Sequence, residues 1–557
     1  MSSGASVGPE RHGRARPLPA FLVLLVIGAS TALLYGSHFR DPLLFDSVRW
    51  FSEGNIQTLG HLGSSDRYVS KTVAYWLYRL SGGQPEILRT ASLSLHVATA
   101  FALFLLFRRL APLVGAGSWM ASPASSNGMA LALAALFTLH PVQVYAVAYH
   151  GQMEIVLATL FGMLMLLAYF EALERSSRLL LLLSVVLYLL AVLSKENLVA
   201  LPAVALAMTL LVRRPSRAQL RELWPWVTLC ALIGVWIVVR ELTETRPAAP
   251  LGETVAAASV PHLHARSTVT QGYLFFRYLF LWLVPDIRLM SIDLQYPLAS
   301  SLFAWPESAG FVAFCLYPIV AFMLMLRRGC AGLVGWGLLW PWLLFLPELA
   351  ATRVSEAFVL YRGYPWIGGF LIAVVASVTP WLRRAALPLL TLACLGLALL
   401  AHERLTTFRS AYAVWSDSIE KNRAYERRAP GTYRAYLNRG TALLAGGRPE
   451  EALTDFTTAL ALRSGLPYAS LNAGLAYIQL RRYPEAMRAF DEGIANAGGL
   501  PPAARAIAYS NRAGLDLLLG RRSEAMEDLA RAASLDPDRP EYRANLESLR
   551  AELEVAR

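Results

Sequence analysis

The sequence LNRGTALLAGGRPEEALTDFTTALAL, at residues 437–462, recurs twice in the C-terminal part of this 557-residue chain. The later copies are LNAGLAYIQLRRYPEAMRAFDEGIAN at 471–496 and SNRAGLDLLLGRRSEAMEDLARAASLDP at 510–537. Aligning the copies superposes three sets of residues, namely Asn438, Asn472 and Asn511; Ala452, Ala486 and Ala525; and Phe456, Phe490 and Leu529. The first two copies are 34 residues apart, and the second and third are 39 apart because of a five-residue insertion near 498–502. One structural unit is therefore used three times.

A period of 34 residues is typical of tetratricopeptide (TPR) repeats, in which each unit is a pair of helices. The small residue at the helix contact, followed four residues later by a large one, fits that unit. We predict repeats at about 433–466, 467–500 and 505–538, stacked as an α-solenoid in a domain at 403–557.

Three asparagines hold the same position in the three repeats, Asn438, Asn472 and Asn511. The concave surface of a repeat solenoid is an extended binding surface, and we predict that these amides contact an acceptor or partner protein there. The alternative is that the solenoid is a lid that only stabilises the domain before it.

Charge and hydropathy change sharply upstream of the repeats. Residues 403–557 carry 42 charged side chains in 155 residues, whereas residues 1–402 carry 48 in 402. With 55% apolar residues and a mean hydropathy of +0.43, the chain is neither disordered nor typical of a soluble enzyme, and residues 1–402 are predicted to form a membrane domain. Most of the net charge of +12 lies in that apolar part, so its expected partner is the lipid bilayer and not nucleic acid.

Eleven apolar segments are long enough to cross about 30 Å of hydrocarbon. They lie near residues 19–36, 90–107, 128–147, 153–171, 179–194, 198–212, 223–241, 310–326, 332–348, 364–382 and 385–401. Arginine pairs, such as Arg213 with Arg214, mark alternate ends of these segments if the stretch 271–285 is a re-entrant or interfacial helix. We therefore predict an all-α, polytopic membrane domain with eleven spans and one re-entrant helix, a cytoplasmic N-terminus and a C-terminal domain outside the membrane.

Carboxylates next to apolar segments are costly and usually functional. Asp41 and Asp46 follow the first apolar segment, where either can serve as a general base or help to hold a metal ion. Glu154 lies between the third and fourth segments, near His140. For His140, a hydrogen bond to a backbone carbonyl is as well supported as a role in ligand binding. The alternative for each acid is an ordinary solvated loop residue.

Basic residues on the outer side are less expected, because the positive-inside rule disfavours them there. Arg277 interrupts the apolar run GYLFFRYLFLWLVP, and a guanidinium in such a helix requires an anion, for which a lipid-linked phosphate is the natural candidate. The alternative is pairing with Asp286 or Asp293. Lys195, at the end of another segment, either faces a lipid phosphate or pairs with its neighbour Glu196.

Four stretches, taken together, resemble the GT-C-fold glycosyltransferases that carry TPR repeats, which include the eukaryotic transmembrane-and-TPR protein O-mannosyltransferases and bacterial relatives. The stretches are HPVQVYAVAYHGQMEIVLATLF at 140–161, SKENLVALP at 194–202, TQGYLFFRYLFLWLVPDIRLMSIDLQYP at 270–297 and VWSDSIEKN at 414–422. The resemblance runs from about residue 37 to the C-terminus.

The resemblance implies an acidic catalytic site in the first outer loop. Asp46 matches the first of two acids in the family pattern, Ser47 replaces the second, and Asp41 is a possible substitute. Glu154 also matches, whereas Tyr145 and Gln152 depart from the usual glutamate and arginine.

Four basic residues are the expected ligands of the donor phosphate. They are Arg277, Arg362, Lys195 and Arg67, of which Arg67 and Arg362 lie where the family has arginines.

The implied function is transfer of a sugar from a polyprenyl-phosphate donor to a Ser or Thr hydroxyl of an extracytoplasmic protein that the TPR repeats present. One base and no second nucleophilic carboxylate favour inversion at the sugar. The expected location is the bacterial inner membrane, with the repeats in the periplasm. A divalent metal remains open as a cofactor. The rival functions are sugar transfer to envelope lipid or polysaccharide, and a non-catalytic TPR scaffold for envelope assembly.

Overall fold

The computed structural model describes residues 19–44, 67–114, 123–213, 215–243, 261–354, 356–382 and 385–555. Over these residues the chain is helical and contains no strand, and one isolated antiparallel bridge joins Leu294 to Phe358. The prediction of an all-α fold is confirmed.

The described residues form helices in two groups. The first group is α1 Ala20–Tyr35, α2 Tyr68–Ser81, α3 Pro85–Val114, α4 Pro123–Leu139, α5 Met153–Arg175, α6 Arg178–Ser194, α7 Leu201–Val212, α8 Arg217–Thr243, α9 Leu263–Leu283, α10 Glu307–Leu326, α11 Gly329–Ala350, α12 Ile367–Leu382 and α13 Ala386–Thr406. The second group is α14 Ala411–Asn422, α15 Tyr433–Ala445, α16 Pro449–Leu462, α17 Pro467–Gln479, α18 Tyr483–Ala495, α19 Pro502–Leu518, α20 Arg522–Leu535 and α21 Pro540–Val555.

Seven helices in the described part of the chain are long and apolar enough to cross a membrane, by length and composition alone. They are Ala20–His38, Pro85–Val114, His150–Arg175, Arg217–Thr243, Glu307–Leu326, Gly329–Ala350 and Pro388–Arg409. An eighth results if the pair Ser126–Leu139 and Pro141–Val147, bent by 49°, forms one span. The number of candidate spans is therefore lower than the eleven predicted.

The difference arises mainly because three of the predicted spans form helices too short to cross about 30 Å of hydrocarbon at about 1.5 Å per residue. Three predicted spans correspond to apolar helices of only 10–17 residues, Arg178–Ser194, Glu196–Val212 and Ile367–Val378. Lys195, between the first two, has an extended backbone with φ −157° and ψ 123°. The stretch 271–285, predicted as a re-entrant piece, belongs for the most part to the continuous 21-residue helix α9.

Buried tryptophans tie the first group of helices together. Trp336 on α11 donates its ring N–H to the carbonyl of Val204 on α7 at 3.1 Å. Trp340, one turn later, donates to the carbonyl of Pro365 just before α12 at 3.1 Å. Both rings are fully buried. Each therefore adds a specific hydrogen bond to a large apolar contact, which fixes how neighbouring helices are placed.

The second group contains three antiparallel helix pairs, α15 with α16, α17 with α18 and α19 with α20, followed by α21 packed on α20. Each pair places a small residue of its first helix against a large residue of its second, namely Gly440 and Phe456, Gly474 and Phe490, and Ala513 and Leu529. In the third pair, alanine replaces the glycine of the first helix and leucine replaces the phenylalanine of the second helix. The larger residue on one helix therefore compensates for the smaller residue on the other.

The two groups of helices are continuous at the predicted domain boundary. Residue 402 lies inside α13, and α14 then attaches the solenoid to the loop at 284–306. Asn422 on α14 donates to the carbonyl of Asp293 at 2.6 Å and accepts from the backbone N–H of Gln295 at 2.7 Å. This loop is therefore held from the solenoid side.

The packing of Gly474 predicts the effect of adding one methyl group. A Cβ atom at Gly474 would lie 2.7 Å from the ring of Phe490. We expect Gly474→Ala to destabilise the solenoid by about 1–3 kcal/mol, the usual cost of overpacking. At Gly514, on α19, nothing lies within 4 Å of the added atom, so Gly514→Ala is expected to raise stability by about 1 kcal/mol through helix propensity. Thermal unfolding of the purified full chain, followed by circular dichroism, measures both. Equal melting temperatures for the two variants would contradict this account of the packing.

Candidate functional site

Several of the polar residues singled out from the sequence lie where long apolar helices are interrupted. Between α4 and α5, residues 140–152 form two 3-10 turns around the short helical turn Val144–Val147. A second interruption at Lys195 separates α6 from α7. Irregular backbone among membrane helices is tolerated where protein surrounds it. These breaks therefore bring polar groups into an otherwise apolar interior.

Glu154, at the start of α5, is the centre of a buried ion cluster. Lys195 donates to its Oε1 atom, and Arg67 donates to the same oxygen at 2.7 Å. Arg67 also forks onto Glu196, with hydrogen bonds of 3.0 and 2.9 Å. Three parts of the chain that are distant in sequence therefore meet at two carboxylates, each held by a cation.

The second oxygen of Glu154 has no partner among the residues that the structure describes. The side chain is only 3% exposed, yet its Oε2 atom makes no hydrogen bond. Buried polar atoms are normally paired, by protein or by bound water. An ionised carboxylate with one unoccupied oxygen accepts a hydrogen bond from a bound hydroxyl group, so Glu154 is suited to hold a ligand.

A second buried acid, Glu348 at the end of α11, continues this network. Asn197, two residues after Lys195, donates to its Oε1 atom at 3.1 Å. The guanidinium groups of Arg353 and Arg362 lie 3.0 and 3.5 Å from its Oε2 atom. Asn197 therefore connects this second acid to the cluster at Glu154.

The network then reaches the solenoid. Arg362 donates to Glu356 at 3.0 Å, and Arg434 on α15 donates to the other oxygen of Glu356 at 2.9 Å. Burial opposes ionisation of Glu356, but the guanidinium groups of Arg434 and Arg362 outweigh it, and its pKa lies below the ordinary value. Burial raises the pKa of Asp293. The attraction of Arg434, which lies 3.9 Å from its carboxylate, is too weak to offset the effect of burial.

Asp41 lies in a separate polar group just after α1. The Nδ1 atom of His38 is 2.6 Å from a carboxylate oxygen of Asp41. Arg89 on α3 donates to the carbonyls of His38 and of Pro42, the latter at 2.7 Å. The side chain of Asp41 remains 20% exposed. It is thus both held in place and accessible, as a general base must be.

The segment after Asp41 approaches the Glu154 cluster from one side. Leu43 packs in a small apolar cluster with Met153, the residue before Glu154. The predicted acid Asp46 and its neighbour Ser47 lie outside the described residues, which resume at Arg67 in the ion cluster itself.

Arg277 stands apart from the other cations predicted to bind the donor phosphate. Its guanidinium lies 5.8 Å from the centre of the Tyr296 ring, and it makes no ion pair or hydrogen bond with any described residue. Of the two acids considered as partners, Asp286 is bound by Arg288 at 2.7 Å and Asp293 faces Gln295 and Arg434. By contrast, Arg67, Lys195 and Arg362 all hold carboxylates.

His140 has the backbone partner that the sequence left open. Its Nε2 atom lies 3.1 Å from the carbonyl oxygen of Trp282 at the end of α9, and its Nδ1 atom accepts from the N–H of Val142. Both ring nitrogens are therefore used to hold the break after α4.

The three asparagines lie on the first helix of each pair, Asn438 on α15, Asn472 on α17 and Asn511 on α19, and all are half-buried. Asn472 donates to Thr441 at 3.0 Å, which joins adjacent pairs. The first and third pairs also contain a buried ion pair. Arg439 forks onto Asp455 and Arg512 onto Asp528.

Sequence reasoning missed the second half of the ion network. Asn197, Glu348, Glu356 and Arg434 were not singled out, although Glu348 lies in the apolar run LLFLPELA and carried a detectable signal, an acid within a predicted span. Lys195 does not pair with its neighbour Glu196, which was one of the two predicted alternatives. Lys195 donates to Glu154 instead, and Glu196 is bound by Arg67. Among the described residues, no group of three or more His, Cys, Asp or Glu side chains is arranged to hold a metal ion.

Comparison with known proteins adds no family. No family model and no curated protein matches the chain. A solved structure described as the crystal structure of the APC/C hetero-tetramer Cut9-Hcn1 aligns over 96% of this chain and 90% of its own, with 12% identity and a TM-score of 0.22. A TM-score this low does not indicate a shared fold, so the class of the protein is defined by the helices of its own structure. Over the residues that the structure describes, it is all-helical, and its apolar helices precede three stacked helix pairs.

The pKa of Glu356 predicts a pH-dependent contribution to stability. A carboxyl whose pKa is lowered by folding stabilises the folded chain above its ordinary value of 4.5, and this is lost as the pH falls through the lower value of the folded state. We expect Glu356→Gln to lower the melting temperature at pH 7, and the difference from the wild type to shrink below pH 4.5.

The matched control is Glu451→Gln, which removes a carboxylate paired with Arg448 on the exposed surface. The side chain of Glu356 is 40% exposed and that of Glu451 is 57% exposed, but only the former bridges two arginines. Asp293, whose pKa is raised by burial and by the charge of Glu356, has the opposite dependence on pH, so its altered titration in the Glu356→Gln variant partly offsets the loss. A difference that persists unchanged at low pH would show that Glu356 does not act through its charge.

Proposed function

We propose that this chain is a membrane glycosyltransferase that moves a sugar from a polyprenyl-phosphate donor to a Ser or Thr hydroxyl of an extracytoplasmic protein. The observation that carries the proposal is the buried cluster at Glu154. Two of the family-like stretches, at 140–161 and 194–202, meet there with Arg67, the residue that closes the segment after Asp46. A buried carboxylate with an unoccupied oxygen suits binding of a sugar or acceptor hydroxyl.

In the proposed reaction, the acceptor oxygen bonds to the anomeric carbon of the sugar. The bond from that carbon to the phosphate oxygen breaks, and polyprenyl phosphate leaves with the electron pair. The hydroxyl proton passes to Asp46 or Asp41, which are the general-base candidates. One displacement inverts the configuration at the anomeric carbon.

Arg277 is the proposed first ligand of the donor phosphate. Arg67, Lys195 and Arg362 would have to release a carboxylate before they bind a phosphate, and removing a partner from a buried ion pair costs about 3–5 kcal/mol. Arg277 has no acidic partner to lose among the described residues and is supported by the face of Tyr296. We therefore assign the other three cations chiefly to positioning Glu154 and its neighbours.

The solenoid is proposed to present the acceptor beside this site. Arg434 and Asn422 attach it to the polar network and to the loop at 284–306. Asn438, Asn472 and Asn511 follow one another on the first helices of the stack, where amides can pair with the backbone of an extended segment. The proposed location is the inner membrane of a bacterium, with the solenoid on the periplasmic side.

One observation favours the rival scaffold function. In the ion network, four of the acids are each bound by at least one arginine or lysine, Glu154, Glu196, Glu348 and Glu356. Such a network is also consistent with a purely structural role, in which the ion pairs stabilise the breaks between helices. Measured sugar transfer decides between the two functions, and the identity of the modified molecule decides between protein and envelope-lipid acceptors.

The acids after α1 provide the direct test of catalysis. We expect Asp46→Asn to lower transfer by roughly 100- to 10,000-fold, the usual contribution of a general base, and Asp41→Asn to lower it less. Intact-mass analysis of periplasmic and surface proteins, from cells with and without each variant, measures transfer. Asp286→Asn is the control, because it removes an outer-face acid that only pairs with Arg288. Normal transfer by the Asp41→Asn/Asp46→Asn double variant would exclude this loop as the catalytic loop.

Arg277 tests donor binding separately. A lysine retains the charge but not the two-pronged hydrogen bonding of a guanidinium. Loss of one charge-assisted hydrogen bond, at about 1.5–3 kcal/mol, weakens binding by about ten- to a hundredfold. We therefore expect Arg277→Lys to reduce thermal stabilisation of the chain by added polyprenyl phosphate. Arg288→Lys, at an exposed arginine bound to Asp286, is the control. If both variants respond to the lipid as the wild type does, the phosphate is bound elsewhere.

A further inference from the structure

A cavity of about 730 Å³ lies at the opposite end of α6 from the Glu154 cluster. Its walls come from the end of α5, the start of α6, the residues after α7 and the start of α8. Lys195 follows the last residue of α6, whereas Arg178 in the cavity is the first of its 17 residues. At 1.5 Å per residue, about 25 Å separate them. The cavity is therefore distinct from the proposed catalytic site.

The cavity has one basic end and one apolar side. Arg178, Arg213 and Ser176 line its polar end, and Leu182, Leu229 and Trp226 line its apolar side. Leu182 and Leu229 are 54% and 44% exposed on helices that face outward from the bundle. A ligand that fits both parts has an anionic head and an apolar tail.

Among the charged residues at the polar end of the cavity, one cation, Arg178, is available to bind a ligand. Glu171 is held by Arg109 and Arg175, and Glu174 is held by Arg213 at 3.2 Å. Arg178 makes no ion pair or hydrogen bond with any residue in the described part of the chain.

The α8 wall is also predominantly basic at this end. One acid, Glu222, lines the cavity, but Arg217 and Arg221 precede it on the same helix. The local charge thus favours an anion over a zwitterion.

We propose that this cavity binds one anionic phospholipid, with its phosphate at Arg178 and Arg213 and its acyl chains along the groove between α6 and α8. The helix ends that form the polar part carry the arginines that orient the chain toward the cytoplasm, so the bound lipid belongs to the cytoplasmic leaflet. This site goes beyond sugar transfer, because it lies at the far end of the helices from the proposed chemistry.

The test uses the purified full chain in detergent, with native mass spectrometry and thermal unfolding as readouts. We expect phosphatidylglycerol to be retained as a single copy and to raise the melting temperature. Phosphatidylcholine and soluble glycerol phosphate, which lack the charge and the tails respectively, should do neither. The Arg178→Gln/Arg213→Gln variant should bind phosphatidylglycerol at least about tenfold more weakly, which corresponds to loss of about 1.4 kcal/mol.

Two further variants make the test specific. Arg522→Gln/Arg550→Gln removes the same charge from exposed residues of the solenoid that do not line the cavity, and it should bind as the wild type does. Leu181→Trp fills the cavity without changing charge, and it should prevent retention. Because Arg213 pairs with Glu174, Arg178→Gln alone serves if the double variant does not fold.

Three results with phospholipids would overturn the proposal. They are equal stabilisation by phosphatidylcholine, equal weakening in the two arginine double variants, and retention of phosphatidylglycerol by Leu181→Trp. Preferential retention of polyprenyl phosphate at this cavity would also overturn it, because the donor would then be the occupant. None of these readouts uses sugar transfer, so the result is independent of the proposed function.

Discussion

The carboxylate of Glu154 carries a negative charge into the interior of an apolar helix bundle, and much of the surrounding structure serves to neutralise it. A buried ion costs several kcal/mol in lost hydration, and a pair recovers this only with good geometry and further hydrogen bonds. Here Lys195 and Arg67 share one oxygen of Glu154, and Arg67 simultaneously forks onto Glu196. Since Glu154, Lys195 and Arg67 come from three different parts of the chain, folding must bring these parts together.

The same requirement extends outward to the solenoid. Asn197 connects the first cluster to Glu348, and Arg362 and Glu356 connect Glu348 to Arg434. Every link except that of Arg362 with Glu356 joins residues from different helices or loops, so a change at one link alters the partners of the next. This arrangement couples the placement of the solenoid to the polar interior of the helix bundle, as the proposed presentation of an acceptor requires.

The solenoid shows how repeats tolerate change when it occurs in pairs. In the first and third pairs of helices a half-buried arginine is paired with a buried aspartate, whereas the second pair of helices has Ala473 and Ala489 at the two positions. Loss of one charged partner alone would leave the other buried and unpaired. Replacing both keeps the interface satisfied, as does the exchange of glycine and phenylalanine for alanine and leucine in the third pair.

The sequence alone determined the features that depend on local periodicity. The 34-residue register predicted the three helix pairs, and the apolar runs predicted a helical bundle, because period and hydropathy are written directly in neighbouring residues. Glu154 and Lys195 were also predictable individually, since each interrupts apolar sequence. The tertiary structure decided which of them meet. It paired Lys195 with Glu154 and not with Glu196, joined Glu348 and Arg434 to the network, left Arg277 without an acid in the described part of the chain, and ended three apolar helices before they reach the length of a membrane span. The physical reason is that ion pairing depends on distance in space, and residues as far apart as Arg67 and Glu196 approach only when the whole bundle has packed.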